Sequence, residues 1–347
     1  MSCVSWFADV SLRDRPRVGG KAGSLGELQR AAIAVPPGFV VETCAFERFV
    51  SALEAETPVR ARIEALSADD FAAVAACSAA LRRRVEEAAL PPDVAEEIQA
   101  AHANLCGPYG TTPVAVRSSA TTEDARDASF AGLQDTYLWV LGAAETLRMV
   151  RRCWGSLYSV EAISYRRSRG LTEEGVSMAV VVQSMVDART AGVMFTRSPT
   201  TGDRSVITIE GAWGLGSAVV GGEVTPDRWV IGKVTGEVSV REISDKRIRH
   251  APAVAGGVDS VPVEESSRRL PCLTDQELER LRSIARLVER HYGCAQDIEW
   301  AIERTSGDVF LLQSRPETVW SAKDAAPVAR AAEDPISHVL SIFGGGR

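Results

Sequence analysis

The chain of 347 residues lacks several features that mark particular classes of protein. It has no uninterrupted apolar run of about 18 residues, which a membrane-spanning helix would need, and its first residues do not form a signal peptide. It has no excess of positive charge, since its formal net charge is −7 and its pI is near 5.4. An acidic chain is poorly suited to bind nucleic acid or an anionic membrane. We therefore expect a cytoplasmic protein with neither kind of partner.

Paired cysteine spacings are also missing. The seven cysteines are widely scattered, and none forms a C-x-x-C pair. An odd number without such a pair is typical of reduced thiols in a cytoplasmic protein. We therefore expect no disulfide framework and no zinc site, with each cysteine filling a small buried space. The cysteines are Cys3, Cys44, Cys77, Cys106, Cys153, Cys272 and Cys294.

Several catalytic signatures are absent as well. The chain contains no G-x-x-x-x-G-K-[ST] phosphate loop, no kinase catalytic loop and no nucleophile elbow of a serine hydrolase. Residues 211–219 are rich in glycine, but they lack the third glycine of G-x-G-x-x-G and a surrounding βαβ unit. The common nucleotide-binding loops and the serine hydrolases are therefore excluded.

Helical and strand patterns alternate along the chain. Residues from about 44 to 105 are rich in alanine, arginine and glutamate and are interrupted by Pro91-Pro92, which predicts a helical cap or insert. A second helical stretch is expected from about 143 to 169. Apolar runs at 177–183 and 191–196, separated by a short connection, predict a β-hairpin.

The pattern changes near residue 197, where a second, β-rich lobe is predicted to begin. Within it, Thr274 starts a capping box, and the helix that follows is expected to end at Gly293. The residues beyond Trp320 predict a weakly ordered tail. The units expected are a first lobe with the helical insert, a second lobe and the tail, at 1–196, 197–320 and 321–347.

A hydroxyl-rich loop stands out in the first lobe. Arg117 ends a β-branched run and is followed by serines and threonines at 118–122, then by the small turn Phe130-Ala131-Gly132 and by Thr136. Arginine offers a planar fork of donors to phosphate oxygens, and a glycine turn lets backbone N–H groups close over a polyphosphate. The stretch predicts a phosphate site, unless its hydroxyls only cap the next helix.

Residues 297–315 form a second candidate. Glu299 and Gln313 lie on adjacent predicted strands, and Arg315 shares the face of Gln313. Carboxylate and amide oxygens suit Mg²⁺, which usually binds a few protein groups together with nucleotide phosphates. Only an odd loop or a β-bulge sets Glu299 opposite Gln313, because a shift of one residue reverses the face. The alternative is a solvent-facing pair on an edge strand.

Two further polar residues admit two interpretations each. Lys21, behind Gly19-Gly20, is either a surface lysine or a point charge that reaches a phosphate. Gln183, at the end of an apolar strand, suits either the edge of an adenine ring or a plain strand terminus.

Together these stretches resemble the N-terminal nucleotide-binding part of the phosphoenolpyruvate synthase and pyruvate phosphate dikinase family, which includes rifampin phosphotransferase and phenylphosphate synthase. The matches fall in order over residues 18–316. The matching stretches are Gly19-Gly20-Lys21-Ala22, Val35-Pro36-Pro37-Gly38-Phe39, residues 116–136, Gly192-Val193-Met194-Phe195-Thr196, Trp213-Gly214-Leu215-Gly216, Val224-Thr225-Pro226-Asp227, Asp297-Ile298-Glu299-Trp300 and Leu312-Gln313-Ser314-Arg315-Pro316.

The resemblance implies an α+β fold of the ATP-grasp type, in which two lobes clamp ATP. It also implies that ATP and Mg²⁺ are the cofactors, and that Arg315 stabilises the transferring phosphoryl group. The implied roles are phosphate binding and catalysis for Lys21, Arg117 and Arg315, cover of the phosphates for Gly132 and Thr136, adenine contact for Gln183, and Mg²⁺ ligation for Glu299 and Gln313.

The sequence departs from the family in its histidines. Members that complete the reaction carry a swinging domain with a phosphorylated histidine in a T-x-x-G-G-x-x-x-H context. The four histidines here, His102, His250, His291 and His338, lie in no such context, and we expect no acceptor-binding barrel to accompany them. We therefore expect the ATP-binding subunit of a split phosphotransferase.

That subunit would pass a phosphoryl group to a histidine on a separate carrier subunit, releasing AMP and phosphate. By analogy with phenylphosphate synthase, the final acceptor would be a small molecule, with a phenolic or benzylic alcohol favoured. Two alternatives stay open at this point. One is a self-sufficient kinase that transfers phosphate directly, and the other is a nucleotide-sensing module without catalysis.

Overall fold

A computed structural model describes residues 2–67, 69–107, 111–121 and 135–320 of the chain. Helices and strands alternate through these residues. The α-helices are α1 (Arg15–Arg30), α2 (Thr43–Glu56), α3 (Val59–Glu64), α4 (Phe71–Glu87), α5 (Pro92–Cys106), α6 (Ala143–Gly155), α7 (Val160–Ser168), α8 (Ser217–Val220), α9 (Glu265–Arg268) and α10 (Asp275–Tyr292). The strands are β1 (Val4–Trp6), β2 (Gly38–Val41), β3 (Val114–Ala120), β4 (Thr136–Val140), β5 (Met178–Ser184), β6 (Ala188–Phe195), β7 (Val206–Trp213), β8 (Asp227–Gly232), β9 (Val238–Glu242), β10 (Ile248–Pro252), β11 (Val258–Pro262), β12 (Gln296–Glu303) and β13 (Val309–Pro316).

The strands form two main sheets and a separate hairpin. The first sheet has five strands in the order β1-β2-β5-β3-β4, and the second has six in the order β13-β12-β6-β7-β8-β9. Strands β10 and β11 pair with each other. The paired strands within each sheet run antiparallel. The expected mixture of helices and strands is confirmed.

Helices α2 to α7 cover one face of the first sheet. The predicted helical region at 44–105 is confirmed as α2 to α5, and Pro92 begins α5, where the missing N–H of proline costs no hydrogen bond. The second predicted helical stretch contains α6 and α7. Trp154 of α6 is fully buried against Phe46 and Phe49 of α2. This large contact fixes the helical layer on the sheet.

Helix α1 joins the two sheets. Its buried side chains, among them Leu25 and Leu28, belong to the same apolar cluster as Val181 of β5 and Trp300 of β12. Helix α10 adds Leu278, Leu281, Ala285 and Val288 to the same cluster. It begins with the predicted capping box and ends at Gly293, which takes a left-handed φ of 68°.

The hairpin predicted at 177–196 is wrong. Strand β5 pairs with β2 and β3 in the first sheet, whereas β6 pairs with β7 and β12 in the second. Strand β5 is almost fully buried and β6 is buried or half-buried along its length, so their sequences do not say which neighbour they take. The short connection 185–187 instead crosses from one sheet to the other. Strand β6 therefore belongs to the second sheet, although it precedes the predicted boundary at 197.

The expectation of reduced cysteines is wrong for one pair. Cys3 and Cys44 form a disulfide, with their Cα atoms 5.7 Å apart. The pairing of Val4 with Val41 sets Cys3 beside the start of α2, so the fold brings together two cysteines that are 41 residues apart. Of the free cysteines, four are buried as expected and Cys294 is exposed. None of the described helices is long and apolar enough to cross a membrane.

Candidate functional site

Strands β12 and β13 place Glu299 directly opposite Gln313. Ile302 pairs with Val309 and Trp300 with Leu311, and the register then shifts by one residue between Trp300 and Glu299. This β-bulge brings the two polar side chains to one face. The predicted pairing is therefore confirmed, and it is set by the bulge rather than by a three-residue loop.

Arg117 reaches this pair from the other sheet. It lies on β3, and its guanidinium donates hydrogen bonds to Glu299 Oε2 at 3.0 Å, to Gln313 Oε1 at 2.6 Å and to the carbonyl oxygen of Leu312 at 2.9 Å. The residue is 8% exposed. Its Nε is buried and has no hydrogen-bond partner among the described residues. A permanent charge is thus held between the two sheets, and its buried Nε donor is left without a partner among the described residues.

The serine two positions after Arg117 holds the turn that carries Lys21. Ser119 Oγ donates to the carbonyl oxygen of Val18 at 2.8 Å and accepts from the N–H of Ala22 at 3.3 Å. Between them Gly19 interrupts α1 with a φ of 75° and a ψ of 173°. A side chain there would collide with the backbone of Ser119. Lys21 therefore follows a break in α1 that is fixed by β3.

An apolar cavity of about 340 Å³, called here the inner cavity, lies between the sheets. The Arg117 and Glu299 side chains line it together with Gln183, whose amide donates to the carbonyl oxygen of Pro36 at 3.3 Å. The remaining lining residues are Ala115, Thr136, Leu138, Ser184, Met185, Val186, Ala188, Ala191, Gly192, Leu215, Gly216, Ser217, Val220, Gly221, Trp300, Ala301 and Leu312. A mainly apolar cavity with a few polar groups is typical of a ligand site.

A second cavity of about 200 Å³, called here the outer cavity, is rich in cationic side chains. Lys21, Arg15 and Arg315 line it, with Gln313 and Tyr292. The Arg315 Nε lies 3.4 Å from Asp297 Oδ2, as expected from their direct pairing across β12 and β13. Because Gln313 also contacts Arg117, the two cavities meet at the Arg117–Glu299–Gln313 cluster.

Asp297 lies on β12 beside this cluster, and its pKa is displaced. Burial raises its pKa to about 6, although the Arg315 guanidinium opposes this and Glu317 adds to it. The carboxyl shares the face of Glu299, two residues away on β12. A second carboxyl group, with a pKa of about 6, therefore lies beside the predicted metal ligands.

The structure separates the predicted residues into two groups. Arg117, Thr136, Gln183 and Glu299 line the inner cavity, and Lys21, Gln313 and Arg315 line the outer cavity. Gly132 lies outside the described residues.

Sequence reasoning missed Arg15, Asp297 and the wall from Leu215 to Gly221. The alternation that selected Glu299 also places Asp297 on its face, and the glycine-rich run at 211–222 was a signal for the wall. Arg15 offered no such signal, because only the fold of α1 against β13 brings it to the cavity.

Residues 15–334 match the family described as "Pyruvate phosphate dikinase, AMP/ATP-binding domain". The chain belongs to this family. The AMP/ATP-binding domain family was expected from the sequence motifs, and that expectation is confirmed.

Relatives with high identity cover nearly the whole chain. A protein named "Probable phosphoenolpyruvate synthase" from Archaeoglobus fulgidus is 43% identical over 339 residues, which is 97% of this chain and 44% of that protein. One of the same name from Staphylothermus marinus is 39% identical over 352 residues, covering 92% of this chain and 42% of that protein. A rifampicin phosphotransferase from Streptomyces sviceus is 43% identical over 331 residues, covering 94% of this chain and 36% of that protein. The chain thus spans less than half the length of these relatives.

Proposed function

We propose that this chain binds Mg-ATP between its two sheets, in an ATP-grasp manner, and begins a dikinase-type phosphoryl transfer. The observation that carries the proposal is Arg117, a buried cation that joins Glu299 and Gln313 where an apolar cavity meets a cationic one. Membership of an AMP/ATP-binding family supports ATP as the ligand. The apolar cavity suits a base and sugar, and the cationic cavity suits phosphates.

The donor set fits the nucleotide and its cation. The unpartnered Nε of Arg117 is a donor that a phosphate oxygen would satisfy. Glu299 and Gln313 offer side-chain oxygens of the kind that Mg²⁺ takes, and the cation would neutralise charge on the phosphates. In the protein without ligand, Glu299 neutralises Arg117. When Glu299 turns to a cation, a phosphate would take over that role.

The other predicted residues have matching tasks in this proposal. Lys21 would hold a phosphate as a point charge, and Arg315 would stabilise charge on the transferring group. Gln183 would bind the adenine edge. Gly132 and Thr136 would cover the phosphates, with Thr136 standing at the start of β4 in the wall of the inner cavity.

We further propose that the phosphoryl group goes to a histidine of a carrier subunit. In balance, ATP, water and the histidine give phosphohistidine, AMP and inorganic phosphate. His102 is buried, and both ring nitrogens of His250 are hydrogen-bonded, to Ser217 and to Glu223, so these two are poor acceptors. The relative named for rifampicin phosphotransfer supports a small organic molecule as the final acceptor, and a phenolic or benzylic alcohol stays our favoured class.

The test uses the purified chain, ATP labelled at the β-phosphate, Mg²⁺ and a fractionated lysate of the native host. We expect a second protein to become labelled through an acid-labile, base-stable bond, with AMP as the nucleotide product. Formation of ADP by the chain alone would indicate direct transfer instead. Nucleotide binding with neither product would indicate a sensing module.

A variant at Glu299 tests the residue assignment. Glu299→Ala is expected to abolish Mg²⁺-dependent labelling while the protein stays folded, because Arg117 keeps its bonds to Gln313 and to the carbonyl of Leu312. Glu237→Ala, at an exposed position before β9, is the matched control and should behave as wild type. Unfolding of Glu299→Ala would show instead that Glu299 is structural.

A further inference from the structure

Ser217 lies at the junction of two cavities and is held there by a histidine. It lines the inner cavity and also a larger one of about 580 Å³ beside β4 and α6. Its Oγ lies 2.8 Å from Nδ1 of His250, and Nε2 of His250 lies 3.1 Å from Glu223 Oε2. Three side chains from α8, β10 and the loop after α8 thus form one hydrogen-bonded chain.

The direction of these bonds follows from the chemistry of the groups. An ionised carboxylate only accepts, so Nε2 of His250 carries the proton that is shared with Glu223. A neutral imidazole then presents Nδ1 as an acceptor, and the Ser217 hydroxyl donates to it. Both lone pairs of Ser217 Oγ remain available, so a ligand group that meets this atom must be a donor.

Backbone contacts fix the position of the three hydrogen-bonded side chains. The N–H of Leu215 donates to the carbonyl oxygen of His250 at 3.0 Å, and any side chain at Gly214 would collide with that carbonyl. Gly216 lies over β6, where a side chain would contact Ala191 and Gly192. Ser217 therefore stands next to the middle of β6.

The order of residues along β6 indicates which part of a bound nucleotide would lie beside Ser217. Ala188, at one end, adjoins the connection that contains Met185 and Val186, while Val193, at the other, pairs with Glu299. The stretch from Ala188 to Val193 spans about 16 Å at the rise of an extended strand. Gly216 and Ser217 lie over the middle of this stretch, near Ala191 and Gly192. A nucleotide with its base near Gln183 and its phosphates near Glu299 places its sugar there.

We propose that Ser217 binds the ribose of the nucleotide, and that His250 and Glu223 keep its oxygen ready to accept a hydrogen bond from a sugar hydroxyl. This inference rests on the proposed binding of ATP. It assigns Ser217 as a determinant of nucleotide specificity that favours ribonucleotides over deoxyribonucleotides. His250 is a positioning residue, since it acts on the sugar only through Ser217.

The experiment compares the affinities of ATP, 2′-deoxy-ATP and 3′-deoxy-ATP by calorimetry. Wild type is expected to bind ATP about threefold to tenfold more tightly than at least one deoxy analogue, the effect of one neutral hydrogen bond. Ser217→Ala should lose that preference by weakening ATP alone. Ser283→Ala, an exposed serine on α10, is the control and should keep it.

A double-mutant cycle tests the role of His250. His250→Phe should reduce the preference in wild type and change nothing further in Ser217→Ala, because its effect passes through the serine. If Ser217→Ala binds ATP and both deoxy analogues as wild type does, or weakens all three equally, the ribose assignment is overturned while ATP binding stands. If wild type binds no ATP, the proposed function itself fails, and the inference with it.

Discussion

Arg117 is a charged side chain with little exposure, and such a group is costly unless it is paired. Glu299 supplies the opposite charge at 3.0 Å, and two oxygen acceptors on β13 complete the set. The residue is therefore stable where it stands without a ligand. It can also exchange its carboxylate partner for a phosphate without becoming unpaired, which suits a site that binds and releases nucleotide.

Asp297 gives the pH prediction for a single side chain. Its pKa is about 6 in the folded protein, against a usual value of 3.8, so between these values the folded state binds more protons than the unfolded state. The free energy of unfolding therefore falls as the pH rises through that interval. Asp297→Asn cannot titrate and should lack this fall. The stability of the variant relative to wild type should rise by roughly 2 kcal/mol from about pH 4 to about pH 7, allowing for partial exposure.

Urea unfolding of both proteins at the two pH values, without nucleotide, measures this difference. Arg315→Gln in the same assay is an informative companion, because it removes the charge that opposes the raised pKa of Asp297. The fall in stability with pH should then be larger in Arg315→Gln than in wild type. An unchanged difference between Asp297→Asn and wild type across the interval would contradict a raised pKa.

Among the elements, α1 depends most on a single backbone conformation. Gly19→Ala would place a Cβ atom 2.1 Å from the carbonyl oxygen of Ser119, at a φ that other residues avoid. We expect a loss of about 3 kcal/mol or more in the free energy of unfolding. Gly142→Ala is the matched control, since its φ is 80° and its Cβ would meet nothing within 4 Å. That variant should lose only about 1 kcal/mol of strain energy.

Denaturant unfolding of the two variants separates strain from collision. Equal losses would show that the contact with Ser119 has no energetic weight. Nucleotide affinity of the Gly19→Ala protein, where it folds, reports separately on the placement of Lys21.

Local elements were predictable from the sequence where a short-range rule decided them. The capping box at Thr274 follows from spacing along one segment. The pairing of Glu299 with Gln313 depends on a β-bulge, one of the two arrangements that the sequence left open. The partner of β5 could not be predicted, because a buried strand has no sequence mark for its neighbour. The site residues Glu299, Gln313 and Arg315 were found because they lie within two strands that are adjacent in sequence. Ser217 and Arg15 were missed, because only long-range packing brings them to a cavity.

For the protein as a unit, the two sheets are joined by the α1 cluster and by Arg117 across the cavity. The apolar cluster gives a constant connection, whereas we expect the polar one to change when the proposed nucleotide binds. Nucleotide should therefore stabilise the protein by the binding linkage, about 2.7 kcal/mol at a hundredfold excess over the dissociation constant. The ligand-dependent part of the stability would then arise where Arg117 joins the two sheets.

The disulfide is the remaining long-range connection, and it gives the last prediction. It ties Cys3, beside β1, to α2 across a loop of 41 residues, which restricts the unfolded chain. Replacing both cysteines with alanine should lower the free energy of unfolding by about 4 kcal/mol, measured with urea under non-reducing conditions. Cys294→Ser, at the exposed free cysteine, is the control and should leave the stability unchanged. Thiol titration gives an independent measure, because the denatured but unreduced protein should show five free thiols. A count of seven would contradict the bond, and the reduced state expected from the scattered cysteines would then hold.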